Sequence, residues 1–213
     1  MAVDMTPPAG ARDFLRACGW GEAEILPLAG DASFRRYFRV VDAGRSAILM
    51  DAPPPHEDPR PFLAVARWLT DRGFAAPKIN AYDERQGLVL IEDFGDSRMR
   101  EAIDEDPDAA VSLYAEAVDV LVALRAHPAG DWRPYDRAEL QREAALLVEW
   151  YCPAIGLEVD VAGYTAAWDK VLGHAEYDRA VTVLRDYHAE NLMLVGQQLS
   201  LIHISEPTRQ EAI

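Results

Sequence analysis

The hydrophobic period changes once along this chain, near Gly95, and that change bounds the fold. Up to residue 92 the apolar residues come mostly in short alternating runs separated by Gly, Pro and Asp. Beyond residue 96 they recur at helical spacing. Period two argues for half-buried strands and period 3.6 for amphipathic helices. A strand-rich part followed by a helix-rich part predicts an α+β architecture. We expect two lobes with a cleft between them, over residues 1–95 and 96–198.

In the first lobe a short helix is expected over 11–19, with Phe14, Leu15 and Cys18 on one side and Gly19 as its stop. Strands are expected over 25–28, 34–41, 46–50, 78–82 and 88–92. In the second of these Phe34, Phe38 and Val40 share a face. Asp58 is expected to cap a helix with Pro59 at its first position, carrying Phe62, Val65, Ala66 and Leu69 inward and ending at Gly73. The lobe therefore has about five antiparallel strands and one crossing helix. In the second lobe Asp106 and Pro107 start a helix whose stripe, Val111, Tyr114, Ala115, Val118, Leu121 and Val122, reads as ordinary core. Further helices are expected over 137–151, stopped by Pro153, and over 161–172.

The formal net charge of -15 excludes non-specific binding to nucleic acid or to an anionic membrane. We expect no nucleic-acid, membrane or protein partner. Cys18 and Cys152 are far apart and lack metal-ligand spacing, which fits a reducing cytoplasm. Residues 1–10 do not read as a signal peptide, and no apolar segment approaches the roughly 20 residues that span a bilayer.

The strongest chemical signal lies at 181–195, where two short apolar runs flank a polar loop containing Asp186 and Asn191. This is the layout of a kinase catalytic loop. The aspartate accepts the proton of a substrate hydroxyl, and the asparagine turns back towards a magnesium ion on the nucleotide phosphates. By itself the pair also fits a plain polar loop between strands. Earlier in the chain, the turn Gly30-Asp31-Ala32-Ser33 could cover phosphates with backbone N–H groups and a hydroxyl, or be a simple hairpin turn. Arg35, Arg36 and Arg39 follow it, with Arg36 on the opposite strand face; one faces phosphate or all three are solvated. The apolar run 88–91 leads into Glu92-Asp93-Phe94-Gly95-Asp96. That link could offer backbone groups to an adenine ring, or its acids could be solvent-facing or capping groups. Arg137, Glu143, Glu149, Trp150 and Tyr151 lie close together on or after one helix. They would suit a sugar, with hydroxyls on carboxylates and a ring face on Trp150, or form a solvated charged face.

Three segments in order, GDASFRRYFRV at 30–40, IEDFGD at 91–96 and RDYHAENLM at 185–193, resemble the aminoglycoside phosphotransferase and choline kinase family. Within it the chain is most similar to the bacterial anomeric sugar kinases of cell-wall recycling, which phosphorylate N-acetylmuramate and N-acetylglucosamine. The segments behind that choice are LMDAPP at 49–54 and the 135–151 stretch. The resemblance implies a two-lobed protein-kinase-like fold, ATP and Mg2+ as cofactors, and a small-molecule partner, an amino sugar. It implies Asp186 as catalytic base and Asn191 as metal ligand. Ser33, Phe34, Arg36, Glu92, Asp93 and Phe94 would bind nucleotide, and His188, Glu149, Trp150 and Arg137 would bind substrate. Aminoglycoside, choline or homoserine kinases are the alternatives within the class, and a catalytically dead kinase-like binding module is the alternative from another class.

The chain departs from the family pattern at several points. Leu184 stands where a histidine is usual, Met50 stands near the usual phosphate lysine, and the helix over 59–71 has no internal glutamate to pair such a lysine. The second metal ligand, an aspartate after a further apolar strand, does not follow Val195. The sequence instead reads LSLIHISEPTR at 199–209, which resembles a translated sequencing-library adapter. We therefore expect 199–213 to be non-native and the chain as written to be incompletely folded or inactive. The apolar residues of that tail predict a strand that would bring His203 near the missing aspartate's place. Magnesium prefers hard oxygen donors, so His203 is given no role.

Overall fold

The computed structural model describes residues 4–28, 34–173, 180–196, 198–201 and 208–210. The first helix, α1, spans Ala11–Ala17. Five strands follow, β1 Glu24–Pro27, β2 Arg36–Asp42, β3 Arg45–Asp51, β4 Ile79–Asp83 and β5 Leu88–Glu92, with α2 Arg60–Thr70 between β3 and β4. They form one antiparallel sheet in the order β1-β2-β3-β5-β4. The β2–β3 hairpin turns on Ala43 and Gly44, both at positive φ, 46 and 84. That geometry matches the right-handed twist of the paired strands.

Alternation divides the sheet into two buried faces. In register, Phe38 lies opposite Leu49 and Leu49 opposite Leu90, while Val40 lies opposite Ala47. These residues and Leu88 pack with Ala11, Phe14 and Leu15 of α1 and with Trp20 and Ala23. Met50 and Val89 alternate onto the other face and are also fully buried. Gly87, at φ +70, brings its backbone against Ala52; a Cβ there would lie 1.9 Å from the Ala52 carbonyl oxygen.

Next come α3 Met99–Glu105, a 3-10 turn at Pro107–Ala109 and α4 Ala110–Arg125. Then follow α5 Arg137–Leu146, a π-helical turn at Leu147–Tyr151, the short α6 Cys152–Ala154 and α7 Val161–Leu172. The remaining strands are β6 Val181–Val183, β7 Leu192–Val195, β8 Gln198–Leu201 and β9 Thr208–Gln210, with a 3-10 turn at Ala189–Asn191. β7 pairs with β8 and β6 with β9, both antiparallel. The architecture is α+β, as the period change predicts.

By backbone contacts the chain divides into two compact units, Met1–Val120 with Asp186–Glu206, and Leu121–Arg185 with Pro207–Ile213. In the first, α3 is tied to β7 by an Arg98–Met193 bridge and by Leu194 N–H donating to Ser97 O at 2.8 Å. In the second, Arg137 at the start of α5 is paired with Asp169 on α7 at 2.7 Å. Gly130 N–H and Trp132 Nε1 both donate to Thr182 Oγ1 on β6.

Several expectations are corrected. Phe34 precedes β2 and is 65% exposed, so it leaves the Phe38 and Val40 face. Helix α2 starts at Arg60, and Asp58 caps it by accepting from Arg60 N–H at 2.9 Å. Helix α3 was not expected. Pro153 does not stop the helix after Tyr151; helical backbone runs without a break from the π-helical turn into α6. The α4 stripe is not core: Val111 is 83% and Val122 64% exposed, while the buried positions are Ala117 and Leu124. Helical periodicity identifies an apolar face but not what covers it.

Candidate active site

The loop follows β6 in the chain and runs into β7 at Leu192. On its β7 side Ala189 and Leu192 are buried and fix the 3-10 turn. Asn191 N–H donates to His188 O at 2.9 Å, which folds the loop back on itself. The Asn191 side-chain amide then donates to Asp186 O at 2.9 Å and meets His188 Nε2 at 3.1 Å. Asp186, His188 and Asn191 are thus brought together. Tyr187 OH donates to Ala117 O on α4 at 2.8 Å, and burial pushes its hydroxyl pKa up to about 12. That residue was not singled out from sequence, because its partner lies 70 positions away.

Asp186 itself is exposed. With the Asn191 NH2 engaged on Asp186 O, its Oδ1 is a hard oxygen of the kind magnesium takes. Among the described residues no group of three or more His, Cys, Asp or Glu side chains surrounds a common point. The donor set fits a magnesium ion that keeps most of its shell in phosphate and water oxygens.

A second cluster lies just before the loop. Arg185 pairs with Glu143 Oε1, while Tyr135 OH donates to Glu143 Oε2. The Arg185 guanidinium lies 5.9 Å from the Tyr135 ring centre. Burial, reinforced by the Glu143 carboxylate, raises the Tyr135 pKa to about 12. One turn earlier, Glu139 is buried between Arg133 and Arg142, each at 2.6 Å, and the Arg142 hydrogen bond holds its carboxyl below the usual range. Sequence reading placed Glu143 in a candidate sugar cluster but missed Tyr135 and Arg185. Separations of 8 and 42 residues carry no local signal.

The candidate substrate residues Arg137, Glu149 and Trp150 all lie on this helix and its π-helical continuation. Arg137 bonds to the carboxylate and backbone oxygen of Asp169. Glu149 and Trp150 lie on the π-helical turn, both exposed, Trp150 by 72%. Such turns widen a helix locally and recur at functional sites.

The three arginines after the 30–33 turn are all paired, which overturns the solvated reading. Arg35 is buried against Glu57 at 3.1 Å, and Glu57 also accepts from Phe34 N–H at 3.2 Å. The Phe34 ring stacks on His56, centroids 5.1 Å apart. Arg36 bonds Asp51 at 2.5 Å and the backbone oxygens of Asp4 and Thr6. It projects on the Phe38 face, where Asp51 is its partner in register. Ser33 lies outside the described residues.

Arg39, on the other face, reaches the link after β5. Its Nη2 donates to Asp93 Oδ1 at 3.2 Å, Gly95 O at 3.1 Å and Asp96 Oδ1 at 2.7 Å, and Nη1 donates to Asp96 Oδ2 at 3.0 Å. Nε lies 2.9 Å from Asp93 Oδ2 but off the hydrogen-bond axis, so that contact is a charge pairing alone. The Asp93 side chain is buried and accepts from Gly95 N–H at 2.9 Å, so it caps the turn and does not face solvent. Glu92 accepts from Lys78 N–H at 3.2 Å, and Phe94 is half-buried.

A family model described as the phosphotransferase enzyme family matches residues 24–202. The N-acetylmuramate/N-acetylglucosamine kinase of Pseudomonas aeruginosa is 42% identical over 185 residues, covering 83% of this chain and 54% of that protein. The like-named kinase of Pseudomonas putida is 37% identical, covering 85% of this chain and 55% of that protein. That of Caulobacter vibrioides is 30% identical, covering 100% and 69%. The chain thus spans about half the length of the two Pseudomonas relatives. Among solved structures, a gentamicin-APH(2")-IIa complex superposes with TM-score 0.65 at 11% identity, over 97% of this chain and 73% of that one. A choline/ethanolamine kinase family protein from Mesorhizobium loti gives 0.62 at 16% identity, over 94% and 65%. At these identities the likeness is one of fold, the kinase-like α+β fold.

Proposed function

The chain belongs to the phosphotransferase enzyme family, and on that premise we propose that its parent protein transfers the γ-phosphoryl group of ATP to a small-molecule hydroxyl. The acceptor is the anomeric hydroxyl of N-acetylmuramate or N-acetylglucosamine in cell-wall recycling, a reading supported by four curated relatives with that name. The observation that carries the proposal is the folded-back loop, with the Asn191 side chain on Asp186 O at 2.9 Å and on His188 Nε2 at 3.1 Å.

In this mechanism Asp186 accepts the proton of the anomeric hydroxyl while that oxygen forms its bond to the γ-phosphorus. The bond from phosphorus to the bridging oxygen breaks, giving a sugar 1-phosphate and ADP. Asn191 would hold magnesium through its side-chain oxygen, and the ion, when bound, would neutralise charge on the phosphates. The backbone of 92–94 receives adenine. Ser33, Phe34 and Arg36 stay as candidates on the phosphate side, and His188, Arg137, Glu149 and Trp150 on the acceptor side. ATP dependence assigns the reaction to the cytoplasm. Residues 199–213 are proposed to be non-native, so turnover requires the natural continuation beyond Gln198.

The test is incubation of the full-length protein, with that continuation, with ATP, magnesium and a panel of sugars and amines. Phosphorus NMR should show anomeric phosphate on the two N-acetyl sugars. Transfer only to aminoglycosides, choline or homoserine would move the acceptor assignment. Nucleotide binding without turnover on any acceptor would make the protein a binding module and overturn the kinase reading.

A further inference from the structure

We propose that Arg39 is a positioning residue for the nucleotide, fixing the 92–96 link in the shape that receives adenine. The inference rests on the proposed ATP dependence. Arg39 stands in the middle of β2, which is paired on both sides, opposite Leu26 of β1 and Ile48 of β3. Its backbone is therefore among the most constrained in the sheet. From there one guanidinium makes four hydrogen bonds to three residues of the link, Asp93, Gly95 and Asp96.

The link needs such a tie. It leaves the sheet after Glu92 and turns on Gly95 at φ +81, stabilised locally by Asp93 Oδ1 accepting from Gly95 N–H. The guanidinium side chain is 21% exposed and the Asp93 carboxylate 5%, so this end of the clamp is sheltered. Asp96 at the other end is 81% exposed and adds reach more than strength. Together the contacts leave residues 93–96 little freedom to rotate their peptide groups. A ligand that reads backbone N–H and C=O groups binds more weakly when it must first order them.

The geometry is specific to arginine. Its planar fork serves several acceptors at once, whereas lysine offers a point charge on a flexible stem. Arg39→Lys keeps the charge and loses the fork, so it should behave more like Arg39→Met than like wild type. Arg45→Met is the control: Arg45, on the same hairpin, alternates onto the sheet face opposite Arg39, where its guanidinium lies 4.0 Å from the Trp20 ring centre and bonds Gly19 O and Asp42.

The experiment measures ATP affinity by calorimetry, and amide hydrogen exchange of 92–98 without ligand, on the full-length protein with its natural continuation beyond Gln198. We expect both Arg39 variants to weaken ATP binding roughly tenfold to a hundredfold, from the loss of charge-assisted hydrogen bonds. Exchange at the Gly95 amide should speed up in both. Arg45→Met should lower the melting temperature and leave ATP affinity unchanged. Wild-type affinity in both Arg39 variants, with wild type binding ATP, overturns the inference alone. No ATP binding by wild type overturns the nucleotide reading and the inference with it. Unchanged exchange at 93–96 in Arg39→Met overturns the clamp whatever the affinities.

Discussion

The Arg36–Asp51 pair gives a quantitative test of how the sheet is held. Asp51 Oδ2 accepts from Arg36 Nη2 at 2.5 Å and Nε at 2.9 Å, and the side chains are 2% and 20% exposed. Removing one partner of a buried pair costs about 3–5 kcal/mol, because the survivor is left charged and dry. Asp51→Leu strands the guanidinium. It keeps the Asp4 and Thr6 oxygens, lies 5.8 Å from the Phe38 ring centre and can recruit water. Its cost should fall at the low end, about 3 kcal/mol. Arg36→Met strands a carboxylate that is almost wholly buried, and should cost more, about 4 kcal/mol. In the double variant both charges go, and two apolar side chains meet on the Phe38 face. Replacements of that kind are often neutral, so the double should lose no more than about 1–2 kcal/mol. Urea unfolding of the four proteins at neutral pH supplies the cycle. A double variant that loses the sum of the singles would refute the coupling, and equal single costs would refute the burial argument.

Gly87→Ala should destabilise by about 3–5 kcal/mol, summing left-handed strain, overpacking and a lost hydrogen bond. Its Cβ would sit 1.9 Å from Ala52 O and displace the 2.8 Å bond from Ala52 N–H to Gly87 O; a thermal melt within error of wild type would contradict this. The lowered pKa of Glu139 predicts stability that is full above its ordinary value of 4.5 and lost as pH falls through the lowered value. Urea midpoints of Glu139→Gln should therefore have a shallower acid slope than wild type. Tyr135, raised to about 12, is neutral in the fold where an unfolded tyrosine has begun to ionise. Its contribution is full below the ordinary 10.0 and fades as pH rises through about 12. Tyr135→Phe should remove that part of the alkaline loss, and an unchanged alkaline slope would contradict it.

The sheet was legible because Phe38, Val40, Ala47 and Leu49 alternate with polar neighbours between glycine and aspartate turns. The loop was legible because Asp186 and Asn191 are only 5 residues apart and close a local hydrogen bond. The arginine partners were not, since Glu57, Asp51 and Asp93 lie 22, 15 and 54 positions from the arginines they hold. A run of arginines before a strand signals charge, but its partners are decided by register and sheet order. The α4 stripe shows the same limit for packing: its spacing gave the helix, while burial went to Ala117 and Leu124. The π-helical turn had no signature either, because Leu147–Tyr151 carries ordinary helix residues.

The central claim is that the loop holding Asp186 and Asn191 is the chemical centre of a phosphotransferase. The most direct test is the turnover of Asp186→Asn in the full-length protein, with ATP and N-acetylmuramate or N-acetylglucosamine at saturation. Losing the base should lower kcat by about 10²–10⁴-fold while ATP affinity stays at the wild-type value. Turnover at the wild-type rate in Asp186→Asn would contradict the claim.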